Sequence, residues 1–344
     1  MKPTPPGGGM PPIPAGAARP SLVARAAQTP LERVMARLDA AAAAAAAVAR
    51  PLRLDGAAPP AEPNDTVATG FPSLDRLLGG GLRAGDLVVI GGDVGSGKSA
   101  LALALALRAA SGGRADDPGE RAGAGGGDRA GDGSRAGNVA FFSGEMTVER
   151  VVERALAIEG RARVDDLRRG VLADEAARGA VGAGALRLRD ASLDIESLPH
   201  GGADALADTL RRTLDLRLAV VDPIEALATG GRGRDEEIAT ATGRLKALAL
   251  ELATPIVVTA QLPRLERGRA DLRPRLDDFG ALGAIAQHAD VVLALFREEM
   301  YAAGAPGVEG ATELLALKNR NGTTGYVDLY FYKQWMRFED MIEG

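Results

Sequence analysis

The sequence predicts an α/β fold with a doubly wound, mostly parallel sheet and an antiparallel hairpin at its C-terminal end. Three observations carry that expectation. Continuous apolar runs recur at 87–91, Asn138–Ser143, 218–222, 255–260 and Val291–Phe296, as strands buried on both faces of a parallel sheet require. Helical patterns such as 148–158 and 240–252 separate them, and strand–helix alternation marks this fold class. Two last strand candidates, 313–317 and 326–332, are joined through LKNRNGTTG, whose Asn-Gly and Thr-Gly steps suit a hairpin turn.

Composition narrows the possibilities. The hydrophobic fraction is 46%, but alanine inflates it and aromatics are only 3%, so the core must come from the Leu, Val and Ile of those runs. The absence of cysteine excludes disulfides and cysteine–zinc sites. His200 and His288 stand far apart and read as surface or structural residues. A net charge of −5 argues against a chain coated in basic charge, though it leaves room for a local basic channel. No apolar run approaches the roughly 18 residues of a membrane helix. The opening MKPTPPGGGMPPIP lacks the apolar centre of a signal peptide. A soluble cytoplasmic protein with no membrane partner is expected.

Along the chain, residues 1–30 are rich in Pro, Gly and Ala and read as disordered, since they bury too little to offset ordering entropy. Residues 31–50, LERVMARLDAAAAAAAAVAR, combine the best helix former with Leu31, Val34, Met35 and Leu38 at helical spacing. They read as one helix, either a spacer or a docking helix for a neighbouring subunit. Residues 51–65 carry Pro59, Pro60 and Pro63 and read as a linker, so the globular part starts near Thr66 and runs to about residue 340. A second low-complexity stretch at 112–137 interrupts it and reads as a mobile surface loop. Beyond it, Val148, Val151, Val152, Ala155 and Leu156 share a helical stripe.

Residues 92–99, GDVGSGKS, match G-x-x-x-x-G-K-[ST] in full, after the strand LVVI and before the helical run ALALALAL. That context makes the match a credible phosphate loop, or P-loop. Gly92, Gly95 and Gly97 let the backbone curl so that N–H groups of Ser96, Lys98, Ser99 and Ala100 point at an anion. The positive end of the following helix faces the same anion. Lys98 is expected to reach the β- and γ-phosphates of ATP, and Ser99 to ligate Mg2+. Asp222 closes the strand LAVVD and is the expected second metal support. Either Glu145, in FFSGEM, or Glu225, three residues past Asp222, has the chemistry to orient or deprotonate water. Gln261 ends the strand PIVVTA, where an amide suits a γ-phosphate sensor or simply a satisfied strand end.

Together these segments resemble the C-terminal motor domain of the DnaB-type replicative helicases, a RecA-like P-loop NTPase. The resemblance runs from TGFPSLD (69–75) through the P-loop, FFSGEM, VVD, TAQL and GAIAQHADVV to LKNRNG (317–322). It implies that Glu145 rather than Glu225 is the catalytic base and that Gln261 senses the γ-phosphate. It also implies that Lys318 and Arg320 act on a neighbour's ATP, within a homohexameric ring translocating on single-stranded DNA. Spacing of two would place that pair on one face of a strand.

Two departures stand out. Where the family has an N-terminal domain that meets primase, this sequence has the Pro/Gly/Ala tail and the alanine-rich helix, which weakens the expectation of a primase contact. The helix does occupy the place of the family's subunit-linking helix. The family's DNA-holding DLRESG loop reads DFGALG here, with Gly280 in place of its arginine. Arg264, Arg267, Arg269, Arg273 and Arg275, just upstream, either replace that charge or decorate a solvated loop. The leading expectation is an ATP-dependent DNA helicase. The alternatives are an ATP-gated adaptor derived from such a motor, or a RecA-like recombination ATPase without processive unwinding.

Overall fold

Apolar strands form the middle of the molecule. The computed structural model describes residues 66–112, 137–262, 269–301 and 308–341. The expectations for 1–30, 31–50, 51–65 and nearly all of 112–137 lie outside the described residues, as do Arg264 and Arg267. In chain order come β1 (Thr66–Val67), α1 (Pro72–Leu78), β2 (Leu82–Arg83), β3 (Leu87–Gly92), α2 (Lys98–Ala110) and β4 (Asn138–Ser143). Next are α3 (Val148–Gly160), α4 (Val164–Arg169), α5 (Glu175–Asp190), β5 (Leu193–Ser197), α6 (Gly202–Arg212) and β6 (Leu216–Asp222). Then follow α7 (Arg234–Leu252), β7 (Ile256–Gln261), α8 (Ala284–His288), β8 (Val291–Phe296), β9 (Ala311–Asn319), β10 (Gly325–Tyr332) and β11 (Arg337–Asp340).

Nine strands form one sheet in the order β11-β10-β9-β8-β3-β7-β6-β4-β5, and β1 pairs with β2 apart from it. From β8 to β5 every pairing is parallel, and from β8 to β11 every pairing is antiparallel. The expected parallel core and closing hairpin are both present, with one further strand on each flank. β3 and β8 are buried at every residue. β9 and β10 alternate between buried and partly exposed residues because only one of their faces is covered.

Helices cover both faces. On one side, α1, α2 and α3 pack with Phe71, Phe141, Phe331 and Phe338. On the other, Leu206 and Leu210 of α6, Leu245 and Leu248 of α7 and Ile285 of α8 cover Val89, Val221 and Val258. α2 is apolar almost all round and accordingly buried along nearly its whole length. In α3 the buried stripe is Val151, Ala155 and Ile158, whereas Val152 is 37% exposed. Of the expected stripe, Val151 and Ala155 are buried, Val148 and Leu156 are half-buried and Val152 faces out.

The TGFPSLD segment closes on itself and on the sheet. The Thr69 N–H donates to Asp75 Oδ1 at 2.8 Å, and the Arg108 guanidinium lies 4.0 Å over the fully buried Phe71 ring. Arg108 also donates to the Phe338 carbonyl at 3.1 Å, so this turn, α2 and the C-terminal strand are held as one block.

Candidate nucleotide site

Register places the site. Gly92 of β3 is level with Gln261 of β7, and Ser143 of β4 is level with Asp222 of β6. The C-terminal ends of four parallel strands therefore meet along one edge, where open α/β sheets bind ligands. A cavity of about 450 Å³ opens there, lined by Gly95, Gly97, Lys98, Ser99, Ala100, Glu145, Asp222 and Gln261. Of the expected P-loop residues, Gly92 and Ser96 are buried rather than among those lining it.

Local packing explains why this loop takes its shape. Gly97 sits at φ +103°, and a Cβ there would stand 2.9 Å from the Phe338 ring. A Cβ on Gly92 would stand 2.5 Å from Ser96 Oγ. The loop is thus pressed between its own strand and the β10–β11 hairpin, where only glycine fits. From below, Arg297 Nη1 donates to the carbonyls of Gly95 at 3.0 Å and Ser96 at 3.4 Å. The first-turn N–H groups of α2, on Lys98, Ser99 and Ala100, precede the first intrahelical bond, from Leu101 N to Gly97 O. They present the helix's positive end to the cavity.

Lys98 folds back on the loop, its Nζ donating to the carbonyls of Gly92 and Asp93 at 3.0 Å each. Burial pushes its ammonium pKa down, against the pull of Glu225, Asp222, Asp93 and Glu145. A half-buried cation held only by carbonyls is chemically ready for an anion.

Asp222 is 1% exposed. Its Oδ1 accepts from Ser99 Oγ at 3.0 Å and Thr259 Oγ1 at 2.5 Å, while its Oδ2 is buried without a partner. A buried carboxylate oxygen left unpaired is costly, and beside a serine hydroxyl it has the chemistry of a divalent-cation ligand. Among the described residues no group of three or more His, Asp or Glu forms a protein-only metal cage. The donor set therefore fits Mg2+, which takes one or two protein ligands and completes its shell with phosphate oxygens and water.

The two candidate carboxylates separate by environment. Glu145 opens on the cavity. Glu225 accepts the Gln261 N–H at 2.7 Å on Oε1, while its Oε2 is buried and unpartnered. Burial pushes the Glu225 pKa up. Glu225 fastens the end of β7, and Glu145 faces the space where a ligand would lie.

Sequence reasoning missed several lining residues. Arg154 of α3 reaches the cavity, but an arginine within a helix carries no motif. Thr259, Arg297, Phe331, Lys333 and Met336 join it, the last three from the β10–β11 hairpin. Arg297 follows the strand VVLALF directly, is 5% exposed and pairs with Glu299. A strand-end arginine of that kind was the one available signal.

Lys318 and Arg320 are not at this cavity. They sit at the far end of β3 and β8, beyond six residues of strand and so roughly 20 Å away. Arg320 lies just past the end of β9 rather than within it, and its Nη1 pairs with Asp290 of the same chain at 3.1 Å. Lys318 Nζ donates to the carbonyls of Ala286 at 2.7 Å and Ala289 at 2.6 Å. Both side chains still converge on one place, the C-terminal end of α8. Two of the upstream arginines are neutralised: Arg269 pairs with Asp278 at 2.8 Å, and Arg273 with Glu313 at 2.6 Å. Gly280, Ala281, Leu282 and Gly283 all have positive φ, and Leu282 is 73% exposed.

A parallel sheet whose strand ends gather a P-loop, a paired serine and aspartate and a cavity-facing glutamate defines a RecA-like P-loop ATPase domain. More narrowly, the chain belongs to the DnaB-like helicase C-terminal domain family, whose sequence profile matches residues 66–340. Among curated relatives, the replicative DNA helicase DnaB of Geobacillus stearothermophilus is 30% identical over 281 residues, covering 80% of this chain and 56% of that protein. The DnaB of Leifsonia xyli subsp. xyli is 31% identical over 280 residues with the same coverages. The chain therefore spans little more than half the length of these relatives. Among solved structures, a DnaB-like replicative helicase, described with its interactions with primase, shares the fold at a TM-score of 0.67 and 23% identity. That match covers 80% of this chain and 62% of that one.

Proposed function

We propose that the domain is an ATP-hydrolysing motor that assembles as a ring and moves on single-stranded DNA. The observation that carries the reading is the Ser99–Asp222 pair with its unpartnered Asp222 oxygen, set between Lys98 and the cavity-facing Glu145. Lys98 leaves its carbonyl partners for the β- and γ-phosphates, and the α2 N–H groups hold the rest of the chain of phosphates. Ser99 and Asp222 would hold a Mg2+, which when bound would supply positive charge to offset that developing on the phosphate oxygens. Glu145 orients and deprotonates the attacking water, and Gln261, fixed by Glu225, reports the γ-phosphate. Arg154 adds positive charge beside the same oxygens.

Arg320 lies at the opposite end of the sheet from its own cavity, which suits an arginine that completes a neighbour's site. A homohexamer is the ring the family resemblance supports, and the cytoplasm is the compartment proposed. No helix among the described residues is long and apolar enough to cross a membrane. The deciding experiment measures ATP hydrolysis with and without single-stranded DNA, beside unwinding of a forked duplex. DNA-stimulated hydrolysis with unwinding supports the motor. Hydrolysis indifferent to DNA, with no unwinding, overturns it in favour of an ATP-gated adaptor. The neutralised Arg269 and Arg273, with Gly280 in the family's arginine position, are the observations on that second side.

A further inference from the structure

Asp290 is a buried carboxylate outside the nucleotide site that is shared between two cations, Lys246 and Arg320. It stands just before β8 with its side chain 7% exposed. Its Oδ2 accepts the Leu87 N–H at 2.8 Å and Lys246 Nζ at 2.6 Å. Those two donors already satisfy one oxygen and compensate the charge. The other oxygen, Oδ1, is given to Arg320 at 3.1 Å. A merely structural ion pair with Lys246 has no need of that second cation.

The guanidinium is held as well as neutralised. Its Nη2 donates to the Gln287 carbonyl at 2.8 Å, and the Arg320 N–H donates to the Asp290 carbonyl at 2.9 Å. Two acceptors on two nitrogens fix the plane of the rigid fork, which keeps further N–H donors for an outside anion. The side chain remains 48% exposed, so the outer edge of the fork is open. Lys246 is steadied in turn by the Gly85 carbonyl at 2.8 Å. Leu87 is the first residue of β3, the strand that ends in the P-loop.

We propose that Asp290 is the positioning residue for Arg320, aiming it at the neighbouring subunit's nucleotide and tying that aim to the P-loop strand of its own subunit. This rests on the reading of Arg320 as acting in trans. The carboxylate touches no substrate. It acts through Arg320, and Lys246 braces it from α7.

The test uses full-length variants mixed in equal amounts, with hydrolysis compared to each variant alone. Lys98→Ala with Arg320→Ala is the control. It recovers activity if Arg320 acts in trans, because roughly a quarter of interfaces in a randomly mixed ring join an intact P-loop to an intact arginine. Asp290→Asn alone is expected to lose on the order of a hundredfold in hydrolysis, the usual cost of a misplaced catalytic group. It should be rescued by Lys98→Ala, which donates a well-aimed arginine, and not by Arg320→Ala, which has none to give. Lys246→Met should fall in the same complementation class with a smaller loss, and it carries the test if Asp290→Asn does not fold. Rescue by Arg320→Ala but not by Lys98→Ala would place the effect in the variant's own P-loop and overturn the proposal. So would unchanged hydrolysis. If the control pair recovers nothing, the trans reading falls and this proposal with it. If the control recovers and Asp290→Asn with Lys98→Ala does not, the positioning role alone is lost.

Discussion

Lys98 and the two glutamates show how much one residue decides in this site. Lys98→Ala removes the cation that the loop keeps in reserve on carbonyls. It should abolish hydrolysis and greatly weaken nucleotide binding, and a wild-type rate in that variant rules out the assignment. Glu145→Gln should bind ATP normally and hydrolyse it roughly a hundredfold to ten-thousandfold more slowly, the span a positioned base contributes. Glu225→Gln keeps the oxygen that accepts the Gln261 N–H, so its hydrolysis should stay near wild type. Its stability should change instead. Burial raises the Glu225 pKa, so the folded state favours the protonated acid. That contribution is fully present below the ordinary value of 4.5 and is lost as pH rises through the raised one. Above that raised value the ionised carboxylate costs stability, and a neutral glutamine does not. Glu225→Gln should melt higher than wild type at neutral pH, with the gain vanishing in acid. Melting curves that run parallel across that range would contradict it.

At the scale of elements, the P-loop is shaped by neighbours as much as by its own glycines. Arg297, at the end of β8, holds the loop carbonyls from below, stacks 4.7 Å from the Phe331 ring and pairs with Glu299. Glu299 also binds Lys333 of the β10–β11 turn at 2.6 Å. Arg297→Lys keeps a charge for Glu299 but loses the planar fork. ATP affinity should fall about tenfold, while Arg297→Ala also takes the donor from the Gly95 and Ser96 carbonyls, leaves Glu299 with Lys333 as its partner, and destabilises by about 1–3 kcal/mol. Nucleotide titration and denaturant melts separate the two effects, and unchanged affinity in Arg297→Lys would remove Arg297 from the clamp. Beyond the strand-end position of Arg297, this clamp was not legible beforehand, because it joins Arg297 to loop residues about 200 positions away. The parallel strands were legible, since burial on both faces leaves an unbroken apolar run. β5 and β11 were not: LDIES lies half exposed at one sheet edge, and RFED carries three charges in four residues at the other. The true start of α7 was hidden in Arg234, Asp235, Glu236 and Glu237, polar residues whose acids favour a helix N-terminus without showing any apolar stripe. The motif residues of the cavity were readable because phosphate chemistry dictates them in order along the chain. Arg154 and Thr259 were not, because only folding brings them there.

At the scale of the whole molecule, the question is whether one subunit contains a complete active site. The cavity gathers Lys98, Glu145, Asp222 and Gln261 at one end of the sheet, while Arg320 is held by Asp290 at the other. An arginine paired at the surface of its own subunit contributes little to stability, whereas one supplied to a neighbour's phosphates accelerates transfer roughly a thousandfold or more. These two uses make opposite predictions. If Arg320 completes a neighbour's site, hydrolysis per subunit should rise with protein concentration until rings form and then level off. Arg320→Ala should still bind ATP, because its own cavity is intact, yet should lose hydrolysis at every concentration. If Arg320 only pairs with Asp290, activity per subunit is independent of concentration and Arg320→Ala hydrolyses at the wild-type rate. Size measured with a non-hydrolysable ATP analogue gives a reading that does not depend on turnover. Assembly under those conditions should track the concentration at which hydrolysis levels off. A chain that stays monomeric there while hydrolysing ATP at full rate would overturn the ring, and with it the motor that the ring is needed to drive.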